Sequence, residues 1–454
     1  MDNNKLVGKI KEYMTEFHVP GVAVGILHED ETFTEGLGVT NVDHPISVDE
    51  TTLFQIGSIT KTFVGTLAMR LVEMGKLELD APIRTYLPDF RVLDEEASEK
   101  ATMHHLFTHT AGWVGDWFPE DLGHGEDAVS RYVTSMVDTP QLTPLGEVLS
   151  YNNAGFNVAG RVFEAVSGKA FTEIMQEMLL DLLEMNHTYL LPWDLITHRF
   201  VVGHSDKEDC PAVARPWSIG RASGPAGGIV TNVKDMLNYA QFQLGDGTFN
   251  GKRLLESESL EKLHTPRVQF TPNNSVALTF WVDDSRAVRT IGHGGGTVGQ
   301  TSLLTLVPDR DFSILLVTNS GNGRQLNSKV MNWALDHYLG IDTPEPALIE
   351  ISQEQLAEYD GSYEATLTAV EVDSSEGKLA VGRRSLGGFP TKDIPPPPTE
   401  PLPPVHYGFY SKDHIVGLED PNKGDLGQFL RDPDGSIAWL RLGTRIHRPL
   451  RHAH

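Results

Sequence analysis

A hydroxyl and an amine stand three residues apart in Phe54-Gln55-Ile56-Gly57-Ser58-Ile59-Thr60-Lys61-Thr62-Phe63. Residues at i and i+3 of a helix share a face, so a helix beginning near Ser58 brings the Lys61 amine beside the serine oxygen. A serine hydroxyl is a weak nucleophile until a neighbouring base takes its proton. The apolar neighbours Phe54, Ile56, Ile59, Phe63 and Val64 favour an uncharged lysine, because desolvation penalises the ammonium. A serine at a helix N-terminus also meets the positive end of the dipole, which favours developing negative charge. Two further S-x-x-K matches read differently. Ser259 to Lys262 lies in a polar run and predicts a solvated helix face, and Ser375 to Lys378 predicts a turn between strands.

Acyl transfer needs more than a nucleophile and a base. It also needs a proton donor for the leaving group and a site for the oxyanion. Tyr151-Asn152-Asn153 is the only Y-x-N in a chain with 11 tyrosines. The Tyr151 phenol can bridge the serine oxygen and the leaving group. Its unperturbed pKa is about 10, so a phenolate base requires nearby cations, and Lys61 can supply one. Lysine and tyrosine both stay open as the acylating base. Asn153 offers an amide that can hold Lys61 and a substrate carbonyl. In His293-Gly294-Gly295-Gly296 the glycines let a strand edge come close to a substrate. Each feature alone has a plainer reading. Tyr151 is then a half-buried aromatic at a helix start, Asn153 an N-cap and the glycines a bulge. His104, His105 and His109 lack the H-E-x-x-H spacing of a metal site, so His109 is read as a structural residue at a helix end, with no metal and no cofactor expected.

The elements that must position these groups follow from periodicity. Residues 5–18 repeat apolar side chains at helical spacing, and Val22–Leu27 with Thr32–Gly38 predict a β-hairpin. The helix after Ser58 carries Phe63, Val64, Leu67, Leu71 and Met74, is apolar over most of its girth, and stops at Gly75. Residues 102–190 are mainly helical, with an apolar helix from Phe156 to Val166 ended by Gly168. Residues 191–222 read as irregular, and a helix follows Pro225-Ala226-Gly227-Gly228. Strands are expected at Val276–Val282, Val288–Ile291, Thr301–Val307 and Phe312–Thr318, then a closing helix through Val330 and Tyr338. Pro344 and Pro346 start a linker. Beyond Tyr359 come short alternating stretches: 361–371, 379–383, 405–410, 415–418, 428–431 and 437–442. They predict an all-β module with a proline-rich connection over 395–404.

Composition narrows the class. With 454 residues the chain is long enough for two or three domains, and 39% hydrophobic and 22% charged residues describe a globular protein. A net charge of -25, from 37 basic and 62 acidic side chains, makes nucleic acid and anionic lipid poor partners. One cysteine, Cys210, excludes an intramolecular disulfide. No signal-peptide core and no apolar run of membrane-spanning length are present, so the expected location is cytoplasmic, with no membrane partner.

Three motifs in order, Ser58-x-x-Lys61, Tyr151-x-Asn153 and His293-Gly294-Gly295, resemble the serine β-lactamase and penicillin-binding-protein superfamily. The branch they look most like holds class C β-lactamases, D-aminopeptidases and related esterases. The spacing between motifs, about 90 and then about 140 residues, fits that pattern, as do the flanking His109-Thr110-Ala111-Gly112 and Pro225-Ala226-Gly227-Gly228. The resemblance implies an α/β (α+β) hydrolase domain over 1–342, with an antiparallel sheet built from both chain ends and a helical insertion at about 80–200. It implies Ser58, Lys61 and Tyr151 as catalytic residues, and Asn153, His293, Gly295 and Gly296 at the substrate and oxyanion sites. The backbone N–H groups of Ser58 and Gly296 would form the oxyanion hole. Tyr359-Asp360-Gly361-Ser362-Tyr363-Glu364 resembles the start of the lipocalin-like barrel that some of these peptidases carry; such a barrel over 355–454 would cover the cleft or build a homo-oligomer.

Two departures shape the expected function. The third motif is His-Gly-Gly where β-lactamases and transpeptidases usually have Lys-Thr-Gly. A histidine mostly neutral at pH 7, followed by a residue without a hydroxyl, attracts a substrate carboxylate less. Pro144-Leu145-Gly146 replaces the usual Pro-Gly before Y-x-N. The expectation is a serine hydrolase that forms an acyl-enzyme on small peptides, amides or esters, directed at peptides with D-residues. The rivals are a carboxylesterase of the same fold with little β-lactamase activity, and a non-enzymatic ligand sensor or assembly scaffold.

Overall fold

A computed structural model describes the chain except residues 1–2, 121, 208–209, 218, 376, 397–402 and 451–454. Most of the proline-rich connection therefore lies outside the described residues. An eight-stranded antiparallel sheet forms the centre of the first part. Its strands are β1 (Gly21–His28), β2 (Glu31–Gly38), β3 (Val268–Thr271), β4 (Asn274–Val276), β5 (Trp281–Asp283), β6 (Thr290–Thr297), β7 (Gln300–Val307) and β8 (Phe312–Thr318). Their order in space is β2-β1-β8-β7-β6-β5-β4-β3, so the first hairpin pairs with the last strand and both chain ends build one sheet.

Side chains alternate across a strand, and β1 uses both faces. Val22, Val24 and Ile26 pack with Leu6 and Ile10 of helix α1 (Asn3–Glu16) and with Leu326, Val330 and Leu335 of a C-terminal helix, Gly323–Leu339. Ala23 faces the other core, which joins the sheet to the helical region. Each such Val, Leu or Ile contributes about 1.5–3 kcal/mol by leaving water.

Helix α2 (Thr60–Glu73) lies inside that second core and is buried from Thr60 through Met69. Gly75, in the left-handed region at φ 68, ends it. A 3-10 turn, Gly57–Ile59, leads into α2, so Ser58 sits one residue ahead of the preceding cap rather than in the first α-helical turn. Helix α3 (Asn153–Ser167) packs against α2 and ends at Gly168, φ 73.

The second part is a closed barrel of eight strands in sequential order: β9 (Gly361–Glu364), β10 (Thr368–Ser375), β11 (Lys378–Ser385), β12 (Val405–Ser411), β13 (His414–Gly417), β14 (Leu426–Arg431), β15 (Ile437–Leu442) and β16 (Arg445–Pro449). Closure leaves no free sheet edge. Tyr363, Val370, Val372, Leu379, Tyr407, Phe409, Phe429 and Leu440 fill its interior.

The structure corrects several expected elements. Val276–Val282 is not one strand: β4 and β5 are separated by a reversal in which Thr279 takes φ 73. Residues 191–222 contain a hairpin, His204–Lys207 with Cys210–Val213, whose polar and proline-containing sequence hid it. Residues 361–371 form two strands, because the chain reverses between Glu364 and Thr368. β16 was not foreseen at all. Its sequence, Arg-Ile-His-Arg-Pro, lacks β-branched alternation, and partner strands β15 and β9 make it a strand.

Candidate active site

Ser58 and Lys61 meet as the helical spacing requires. The Lys61 amine lies 3.1 Å from Ser58 Oγ, 2.8 Å from Asn153 Oδ1 and 2.5 Å from the Ala226 carbonyl oxygen. The lysine is completely buried, and its pKa is pushed well below the ordinary value. Burial is the main cause, the Arg445 charge adds to it, and Asp116 opposes it. A neutral amine has two hydrogens and one lone pair. Two of its three neighbours are carbonyl oxygens that can only accept, so both hydrogens are committed to them. In the neutral form the lone pair is left for the Ser58 hydroxyl, the arrangement a general base requires, whereas the ammonium donates to Ser58 Oγ.

Ser259 and Lys262 instead lie on the short helix Ser257–His264, with the lysine exposed. Glu376, inside the third S-x-x-K, is outside the described residues.

Tyr151 and Asn153 come from the start of α3. The N-cap is Asn152, whose side chain accepts from Gly155 N at 2.8 Å. That corrects the plainer reading of Asn153 and frees its amide for Lys61. The Tyr151 hydroxyl lies beside Ser58 without completing a hydrogen bond there. Its ring is 5.0 Å below the Lys61 amine and 4.7 Å from the Arg445 guanidinium. Even with the Arg445 charge near, burial drives its pKa above the ordinary value. Tyr151 is therefore a phenol, able to give a proton and poorly suited to act as a phenolate base.

His293 lies on β6, inside a ring of aromatic side chains with Tyr151 and Trp281 at 6.1 and 5.8 Å. Burial is the main cause of its pKa being lowered to about 3, so it is neutral, with Nδ1 hydrogen-bonded to the Gly294 carbonyl at 2.5 Å. His109 is buried at φ 58 after a short helix, accepts from Asn152 N at 3.0 Å and stacks on Trp281. Among the described residues, no group of His, Cys, Asp or Glu could hold a metal ion.

β5 pairs with β6 only as far as Gly292, so the edge from His293 onward faces the Ser58 turn. A Cβ at Gly295 would lie 1.9 Å from the Ile56 carbonyl oxygen, and one at Gly57 would lie 2.7 Å from Gly296 N. A Cβ at Gly296 would meet nothing. Gly295→Ala is therefore expected to cost about 1–3 kcal/mol through overpacking and to displace the Ser58 turn. Gly296→Ala should fold with near-native stability. Thermal melts of both variants check this, and equal melting temperatures would refute it.

Two groups escaped sequence reasoning. Asp116 accepts from Asn153 Nδ2 at 2.8 Å, and Arg445 from β16 grips the same carboxylate with Nε and Nη2 at 2.5 and 3.0 Å. The turn between β15 and β16 is docked beside α3: Tyr151 N donates to Thr444 O at 2.7 Å, and Arg441 Nε donates to Leu149 O at 3.2 Å. The one available signal was Asp116 itself, a lone acid in the apolar run Trp113-Val114-Gly115-Asp116-Trp117. Such a buried charge needs a partner.

Comparison with known proteins agrees with this architecture. The Beta-lactamase family model matches residues 6–335. The chain is 29% identical over 343 residues to Penicillin-binding protein 4 of Amycolatopsis lactamdurans, covering 73% of this chain and 89% of that one. It is 24% identical over 443 residues to Unguisins hydrolase ungD of Aspergillus violaceofuscus, covering 90% and 75%. The crystal structure of SurE with D-Leu superposes with a TM-score of 0.74 at 23% identity, covering 99% of both chains. No helix among the described residues is long and apolar enough to cross a membrane. The chain belongs to the Beta-lactamase family, whose members are mostly serine hydrolases related to penicillin-binding proteins.

Proposed function

We propose that this chain cleaves amide or ester bonds through an acyl-enzyme on Ser58, and that its substrates are peptides containing D-residues. The observation that carries the chemistry is the Lys61 amine, held by two carbonyl oxygens and 3.1 Å from Ser58 Oγ. Lys61 takes the serine proton as Oγ attacks the substrate carbonyl. The N–H groups of Ser58 and Gly296 receive the oxyanion, an interaction of about 2.7–4 kcal/mol per donor at comparable sites. The Tyr151 phenol protonates the leaving group and recovers its proton from Lys61. Water then attacks the ester carbonyl, the acid leaves and Ser58 regains its proton.

One relative is named for hydrolysis of unguisins, which fits a hydrolase, and the D-residue preference is supported by the similar structure crystallised with D-Leu. Neutral His293 fits the same reading, because the third motif offers no cation to a β-lactam carboxylate. It also suits uncharged esters, which keeps the esterase reading in the test. Intact mass after treatment with an alkyl fluorophosphonate should show one adduct on Ser58. Turnover of D-aminoacyl anilides should exceed that of the L-isomers, with penicillin acylating slowly. Ester hydrolysis without any anilide turnover would favour the esterase, and failure to label Ser58 would refute the mechanism.

A further inference from the structure

We infer that Arg445, although it belongs to the barrel, is a positioning residue for the Ser58 centre, acting through Asp116 and Asn153 on Lys61. The inference rests on the proposed acyl-enzyme chemistry and assigns that chemistry a relay spanning both parts of the chain.

The relay follows from donor and acceptor types. An asparagine amide can present either its oxygen or its nitrogen to a neighbour. A carboxylate can only accept, so Asp116 must take the Asn153 NH2 group, as the 2.8 Å contact shows. That fixes Asn153 with its oxygen towards Lys61, 2.8 Å away. In the neutral amine the oxygen claims one hydrogen, Ala226 claims the other, and the lone pair is left for Ser58 Oγ, 3.1 Å away. The reverse orientation of Asn153 would put an N–H against the amine and compete for that lone pair.

Asp116 is itself almost fully buried, with 6% of its side chain exposed. A lone carboxylate in that position would be costly, and Arg445 compensates it with two parallel hydrogen bonds. Residues 116 and 445 are 329 apart in sequence, so the carboxylate gains its partner only when the barrel is docked. The order of dependence runs from β16 through Asp116 and Asn153 to Lys61.

The two charges act on Lys61 with opposite sign: Arg445 disfavours the ammonium and Asp116 favours it. The other titratable groups around the lysine are Tyr151, His109 and His293. Burial drives the tyrosine pKa up and both histidine values down, leaving all three uncharged at neutral pH.

The test is the rate of Ser58 labelling by an uncharged alkyl fluorophosphonate, measured against pH on the full chain. The probe carries no carboxylate, so direct substrate recognition by Arg445 cannot influence it. Arg445→Met should label about 10²-fold more slowly, the usual cost of a misplaced catalytic group. Its acid limb should move to higher pH, and Arg445→Lys should restore most of the shift. Asp116→Asn should also slow labelling but move the acid limb to lower pH. The double variant should be no slower than the slower single variant, since the two act as a unit. If Arg445→Met does not fold, Asp116→Asn still tests the relay through its slowed labelling and an acid limb moved to lower pH. Wild-type labelling rate and pH profile in Arg445→Met, or in Asp116→Asn, would overturn the relay, and so would additive losses. If the unaltered chain never labels at Ser58, the acyl-enzyme reading fails and the relay falls with it.

Discussion

Ser58→Ala is expected to reduce turnover by roughly 10⁴ to 10⁶-fold while leaving the fold intact. The size follows from the role: without Oγ there is no acyl-enzyme, and what survives is the catalysis that binding and oxyanion stabilisation give to attack by water. The fold should persist because the hydroxyl makes one side-chain hydrogen bond, to Lys61. Lys61 keeps its two carbonyl acceptors when the hydroxyl is gone. The Cβ remains, and the turn is held by other contacts: Ser302 Oγ donates to the Ile56 carbonyl at 2.7 Å, and Thr60 Oγ1 accepts from Ile229 N at 3.1 Å. Turnover and fluorophosphonate labelling should be lost together, with the melting temperature within about 2–4 °C of the unaltered chain. Retained turnover in a folded Ser58→Ala protein would remove the serine from the mechanism.

What the sequence made legible is what local geometry carries. Ser58 and Lys61 lie within one helical turn of each other, so their contact could be read without any tertiary information. Tyr151, Asn153 and His293 could be proposed from residue type and order. Their contacts had to come from tertiary packing: α3 against α2 for Tyr151 and Asn153, and the sheet register that carries β6 past the Ser58 turn for His293. Asn152 and Asn153 illustrate the limit. Both are good caps by type, and only the close approach of Gly115 to the start of α3 decides that the first caps the helix. The second is thereby left for Lys61.

Arg445 was illegible for a different reason. Its strand has no alternating pattern, its partner Asp116 has no motif, and their pairing depends on how a barrel docks on a separate sheet. The same distinction runs through the fold. Hairpin β1–β2, α2, α3 and the β7–β8 hairpin follow from periodicity and glycine stops. Strands β4, β5 and β16 owe their limits to reversals and neighbours.

Lys61→Met keeps most of the buried volume and removes the proposed base. Loss of general-base assistance alone predicts about a 10²–10⁴-fold fall in kcat/KM. The pH dependence makes the assignment specific. A lysine whose pKa is lowered by burial loses its proton as pH rises, so kcat/KM in the unaltered chain should climb through an acid limb below the ordinary lysine value. The histidines nearby cannot supply that limb above about pH 6, because His293 lies at about 3 and His109 well below its ordinary value. Nor should Tyr151 impose a basic limb below pH 10, since burial raises its pKa. In Lys61→Met the residual rate should therefore be flat across the range where the unaltered enzyme climbs. An unchanged acid limb in that variant would transfer the base role to another group. A basic limb below pH 10 in the unaltered chain would return Tyr151 to consideration as a phenolate. The two amine hydrogen bonds to Asn153 and Ala226 would then serve to hold the lysine as a cation beside it.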